Sequence, residues 1–129
     1  MQIHQSAEDY LETILMLSQR MGKVRSIDVV NELGFTKASV SIAMKKLREN
    51  GYIAVDGEGN LTLLEPGREI AERIYSRHQL LTHFFVQLGV DQQTAAEDAC
   101  KAEHILSEQT LEKIRESALR NDAAHPQAK

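Results

Sequence analysis

SIDVVNELGFTKASVSIAMKKLREN, running from Ser26 to Asn50, is the stretch whose reading decides the fold. Ser26 is a helix-capping residue type, and Ile27, Val29, Val30 and Leu33 follow it at helical spacing. Gly34 suits the left-handed turn that ends such a helix. Thr36 then caps a third helix, Lys37 to about Asn50, whose buried row is Val40, Ala43, Met44 and Leu47. A short helix, a glycine-containing turn and a longer basic helix spell a helix-turn-helix.

The flanks extend that unit. Tyr52-Ile53-Ala54-Val55 and Leu61-Thr62-Leu63-Leu64 read as strands, joined by the hairpin loop Asp56 to Asn60. This hairpin makes the motif winged. Upstream, Ser6 caps a helix reaching Met21, with Glu8 and Asp9 in its first turn, where the helix dipole favours acids. Tyr10, Ile14, Leu17 and Met21 form its apolar stripe, widened by Leu11 and Leu15. Asp9 and Glu12 fall outside the stripe, one turn apart.

Downstream the pattern is helical throughout. Glu65-Pro66-Gly67 opens a long helix to about Leu88, with an apolar row of Ile70, Ile74, Leu81, Phe84 or Phe85, and Leu88. Another helix follows Asp91 and carries Cys100, Glu103 and His104. A last one starts at Ser107, with Leu111, Ile114 and Ala118 on one face. The predicted fold is therefore mainly α. A winged helix-turn-helix DNA-binding domain (1–66) precedes an all-helical domain (67–120), and 121–129 is read as a disordered tail.

Composition narrows the classes. The 129 residues are 42% hydrophobic and 26% charged, as in a soluble globular protein. No stretch approaches a membrane span, and the N-terminus lacks the regions of a signal peptide. One cysteine excludes an internal disulfide and fits a reducing cytoplasm. The net charge of −4 speaks against nucleic acid, but its distribution does not: residues 20–50 carry +4, leaving −8 elsewhere. A recognition helix uses its N-terminal residues on base edges in the major groove. Thr36, Lys37, Ala38, Ser39 and Ser41 are those residues here. Lys37 and Lys45 are placed to neutralise phosphates, and Arg25 to touch the DNA backbone from the loop before the second helix. Ile42 either meets a thymine methyl or packs.

The second chemical signal is Cys100-x-x-Glu103-His104. On a helix these three share one face, and thiolate, carboxylate and imidazole together make half or more of a transition-metal site. Asp9 and Glu12 offer a second acidic pair. Taken alone, the trio equally describes a solvated helix face with a half-buried cysteine, and the acids equally serve the helix dipole. His4 and His83 are read as structural or exposed, and His125 as part of the tail.

Together the two signals bring in a family. A winged helix-turn-helix of this length, with Asp9-x-x-Glu12 on its first helix and Cys100-x-x-Glu103-His104 near its end, resembles the diphtheria-toxin-repressor family. It is most similar to that family's short manganese-transport-regulator branch. Asp9-Tyr10-Leu11-Glu12, Arg77-His78-Gln79-Leu80-Leu81, Glu103-His104 and Leu106-Ser107 carry the resemblance, which covers about Ser6 to Leu119. It implies a dimeric, metal-activated repressor of metal-homeostasis genes that binds palindromic double-stranded DNA, without an organic cofactor or catalysis. It implies that 67–120 is a metal-binding and dimerisation domain, and that Asp9, Glu12, His78, Glu103 and His104 are metal ligands, with Cys100 counted among them. Cys100 stands where the manganese branch usually has glutamate and the iron branch cysteine, whereas Asp9 is manganese-like. The chain is thus a hybrid, and Mn²⁺ and Fe²⁺ both stay open as cofactor, with Co²⁺, Ni²⁺, Zn²⁺ or Cd²⁺ binding in vitro. Of the iron branch's ancillary site only His78 matches, Thr82 and Ala96 replacing other ligands. The barrel-like third domain of the long forms is not expected. Rival readings are a metal-independent winged-helix repressor sensing an organic ligand, a small metallohydrolase using Glu103 as base, and a dimeric adaptor.

Overall fold

A computed structural model describes residues Gln5–Ala124. His4, His125 and the end of the expected tail lie outside the described residues. The chain divides into a first unit ending at Arg73 and a second beginning at Ile74. The division falls inside a helix, beyond the expected boundary at residue 66, because that helix continues unbroken from one unit into the next.

The first unit runs α1 (Gln5–Met21), β1 (Val24–Arg25), α2 (Ser26–Leu33), α3 (Lys37–Glu49), β2 (Ile53–Val55), β3 (Asn60–Leu63) and the start of α4 (Glu65–Gln87). The strands form one antiparallel sheet in the order β1-β3-β2, with Val24 opposite Leu61 and Ile53 opposite Leu63. The hairpin was expected; β1 was not, because two residues show no alternation to read. The helix-turn-helix folds as its residues dictate. Gly34 takes φ 71° and its N–H donates to the carbonyl of Val30 at 2.8 Å. Thr36 Oγ1 accepts from the Ser39 N–H at 3.1 Å and caps α3.

The start of α2 departs from expectation. Arg25, not Ser26, is the cap residue, and its N–H donates to Asp28 Oδ2 at 2.9 Å. A carboxylate three residues into the helix reaches back to the cap more effectively than a serine hydroxyl, so the helix starts one residue earlier.

Val29, Val40, Met44, Leu47, Ile53, Leu61 and Leu63 are buried in this unit. Ala43, expected in the buried row of α3, is half-buried. In α1 every residue from Tyr10 to Leu15 is buried, so the helix is covered on all sides rather than along one stripe. Met21, expected at the end of that stripe, is 51% exposed. Gly67 is buried in the first turns of α4, where a Cβ would lie 2.2 Å from the Tyr52 carbonyl oxygen.

The second unit holds the rest of α4, α5 (Gln92–Ala102) and α6 (Glu108–Ala124). Leu81, Ala99 and Leu111 form its core, with Leu80, Phe85, Ala102, Leu106 and Ile114 packed around them. Leu88 leaves the expected row and is largely exposed, since α4 stops at Gln87 and Gly89 turns the chain at φ 104°. The first part of the expected tail is helical. α6 continues through residues 121–124, and Asp122 accepts from Gln87 Nε2 at 2.8 Å and lies 3.0 Å from His83 Nε2. These polar contacts hold the last turns of α6 to α4 where apolar residues run out.

Candidate metal centre and nucleic-acid interface

α5 sets the metal side of the second unit. Asp91 caps it, accepting from the Thr94 N–H at 3.1 Å and the Thr94 hydroxyl at 2.7 Å. These two bonds, the backbone one foremost, hold the Asp91 carboxyl below the usual carboxylate range. α5 ends at Ala102, so Glu103 is its C-cap residue and His104 lies in the following turn. Glu103 keeps helical dihedrals and its N–H donates to the Ala99 carbonyl at 2.9 Å, so it stands one turn after Cys100. Cys100 is exposed, whereas Glu103 is fully buried and the His104 side chain is only 2% exposed. Among the described residues, no group of three or more closely spaced ligand atoms includes Cys100.

The structure does bring His78, Glu103 and His104 together. His78 Nδ1, from α4, lies 3.2 Å from Glu103 Oε2, and His104 Nε2 lies 3.4 Å from Glu103 Oε1. Glu103 Oε1 accepts no hydrogen bond in its buried setting. A buried carboxylate oxygen without a donor is costly unless a cation or proton meets it. The donors are two imidazoles and a carboxylate, which suit a first-row divalent ion, so the residues present fit such a metal. Arg77 fixes the backbone beneath, donating from Nη1 to the Glu103 carbonyl at 3.2 Å and from Nη2 to Glu108. Arg77 entered the sequence reading only inside a matching stretch; its spacing from Glu103 gives no signal that they meet.

In the first unit, Asp9 and Glu12 stand one turn apart on α1. Asp9 is half-buried and Glu12 is 6% exposed. Burial of a carboxylate on this scale exceeds what a first-turn acid needs for the helix dipole. Burial and the Asp9 charge also raise the Tyr10 hydroxyl's pKa.

Every nucleic-acid candidate on α3 is solvent-facing. Thr36, Lys37, Ala38, Ser39, Ser41 and Lys45 are all exposed, opposite the buried row Val40, Met44 and Leu47. Among the described residues Lys37, Lys45, Lys46 and Arg48 take part in no salt bridge, whereas Arg20, Arg68, Arg73 and Arg77 each pair with a glutamate. Among the described residues, no acidic side chain forms a salt bridge with the basic side chains of α3. A shallow pocket of about 250 Å³ is lined by Ser26, Ser41, Met44, Lys45, Arg48 and Val55. It adds Ser26 and Arg48 to the basic, hydroxyl-bearing surface; the sequence marks Arg48 only within the charge cluster and Ser26 only as a cap residue. Arg25 sits on β1 rather than in a loop. Its guanidinium lies over the wing turn, with Nη2 3.4 Å from where a Cβ on Gly59 would be.

A winged helix-turn-helix with a basic helix, joined to a helical unit with a buried carboxylate between imidazoles, defines a metal-responsive transcriptional regulator. Residues 2–61 match the iron dependent repressor N-terminal DNA binding domain, and residues 64–126 the iron dependent repressor metal binding and dimerisation domain. The chain belongs to this iron-dependent repressor family, the diphtheria-toxin-repressor family that its motifs resemble. The family consists of transcriptional regulators, not enzymes.

The chain is 36% identical over 113 residues to an uncharacterized HTH-type transcriptional regulator of Methanocaldococcus jannaschii, covering 86% of this chain and 90% of that protein. It is 33% identical over 109 residues to the HTH-type transcriptional regulator MntR of Bacillus subtilis, covering 84% and 77%. Among solved structures it is similar to a manganese-dependent transcriptional repressor in complex with manganese, with TM-score 0.79, 29% identity and coverage of 87% and 52%. The manganese regulator SloR gives TM-score 0.76, 25% identity and coverage of 94% and 55%. The chain thus spans about half the length of these two structures. No helix of the described residues is long and apolar enough to cross a membrane.

Proposed function

We propose that the protein is a cytoplasmic, homodimeric, metal-dependent repressor that binds palindromic operator DNA and controls genes of manganese or iron homeostasis. The reading is carried by Glu103, a fully buried carboxylate with a histidine against each oxygen, in a chain whose other unit is a winged helix-turn-helix. Two relatives' names, a manganese-dependent repressor and a manganese regulator, support Mn²⁺. The family description supports Fe²⁺.

Glu103, His78 and His104 are the proposed ligands of the second unit, and Asp9 and Glu12 those of the first. Glu103 turns a different oxygen to each histidine, so either oxygen with its histidine would serve to hold a divalent ion. Cys100 is exposed and is left out of this set. A bound divalent ion supplies positive charge that draws carboxylates and imidazoles into one arrangement. The dimer then favours one spacing of its two α3 helices, matched to two half-sites. On the DNA, Thr36, Lys37, Ala38, Ser39 and Ser41 face the major groove. Arg25, Lys45, Arg48 and Ser26 hold phosphates.

The test uses duplexes enriched from a random library by the Mn²⁺-loaded protein. Their affinity is measured by fluorescence anisotropy with no metal, Mn²⁺, or Fe²⁺ under anaerobic conditions. Wild type and Cys100→Ser are expected to respond to metal alike, and Glu103→Gln to lose the response. Equal DNA affinity in every condition would sink the proposal, and loss of the response in Cys100→Ser would restore the thiolate to the site.

A further inference from the structure

Ile42 is an apolar residue in a polar place. It lies on α3 opposite the buried row and is 59% exposed, between Ala38 one turn before it and Lys45 one turn after. Neither packing nor helix propensity accounts for it. The core is closed without it, and a β-branched residue is a mediocre helix former. An exposed apolar side chain on a surface that otherwise offers hydroxyls and ammonium groups has one complementary target on DNA. The C5-methyl of thymine is the apolar group among the base edges of the major groove.

We propose that Ile42 is a specificity-determining residue that reads a thymine methyl in each operator half-site. The inference rests on the DNA-binding reading above and adds to it a base and an atom. Ile42 is stiff at χ1, so it offers a shaped methyl surface at little entropic cost. Ser41 and Lys45 beside it have other work, since a hydroxyl and an ammonium reach phosphates or polar base edges but gain nothing from a methyl. The competing use is protein packing. Ile42 also borders a groove of about 300 Å³ shared with Ser6, Tyr10, Ser39 and Lys46, which another chain could cover.

The experiment separates these uses. The duplex enriched by the Mn²⁺-loaded wild-type protein is remade with each thymine replaced singly by uracil, which removes only the methyl. Wild type is expected to lose about fourfold in affinity at one thymine per half-site, the loss for one buried methyl. In Ile42→Ala and Ile42→Ser that same replacement is expected to have no effect, while Lys45→Ala keeps the full methyl effect but shows a shallower salt dependence. No methyl-sensitive thymine in wild type overturns the proposal. So does a methyl effect that persists unchanged in both Ile42 variants, or a loss in those variants that is uniform across all duplexes, which marks protein packing instead. Failure to enrich any duplex, with or without metal, overturns the DNA-binding reading itself, and this inference with it.

Discussion

Glu103 and Cys100 lie three residues apart and end in opposite surroundings. Glu103, the C-cap residue of α5, is fully buried, while Cys100 one turn before it is exposed. Glu103 owes its place to Arg77, whose guanidinium donates to the Glu103 carbonyl. Side chains that only orient a ligand typically contribute 10–100-fold to metal affinity, so Arg77→Met is expected to weaken Mn²⁺ binding by about tenfold. Isothermal titration with a circular-dichroism check of folding measures this, and an unchanged affinity would assign Arg77 to Glu108 alone. Gly67 shows the same dependence on a neighbour far along the chain. Its missing Cβ makes room for the Tyr52 carbonyl, so Gly67→Ala forces α4 from the wing. The expected cost is about 3 kcal/mol, at the upper end of overpacking, read as a lower urea midpoint.

Among the elements, α3 and α5 show what capping signals can carry. Thr36 was identified as a cap from its type and position, and it accepts from the Ser39 N–H as such a residue must. Asp91 does the same for α5. Because its folded pKa is depressed, it contributes stability that is present above its unfolded value and is lost as pH falls through the lower, folded one. Asp91→Ala is therefore expected to lower the melting temperature at pH 7 and to flatten its decline below about pH 4, the ordinary aspartate value. A variant with the wild-type acid profile would show that the Thr94 bonds do not matter to folding. α2 starts one residue earlier than Ser26 as a cap implies, because Asp28, a side chain inside the helix, sets the cap. β1 has no local signature, because a two-residue strand exists only through its pairing with β3.

At the scale of the whole molecule, the proposed function is a coupling between metal and DNA, and coupling free energies are reciprocal. If Mn²⁺ raises operator affinity by some factor, the operator must raise Mn²⁺ affinity by the same factor. We expect a factor of about 5–150, the usual range of such couplings. Titrating DNA with and without Mn²⁺, then Mn²⁺ with and without DNA, checks this; two unequal factors would mean that the metal acts through another equilibrium, such as dimerisation.

The sequence by itself determined the fold class, the winged helix-turn-helix and the family. Those signals are short-range: apolar spacing, glycines at turns, capping residues and a run of basic side chains. It also named the chemically able residues, because carboxylates and imidazoles are visible as letters. Only the tertiary structure decided which of them meet. It set His78 of α4 against Glu103 beyond α5, left Cys100 exposed, ran α6 through residues 121–124 and turned Ile42 outward. The physical reason is that burial and approach depend on where each helix ends and what packs against it. Those are sums over distant neighbours that no local pattern records.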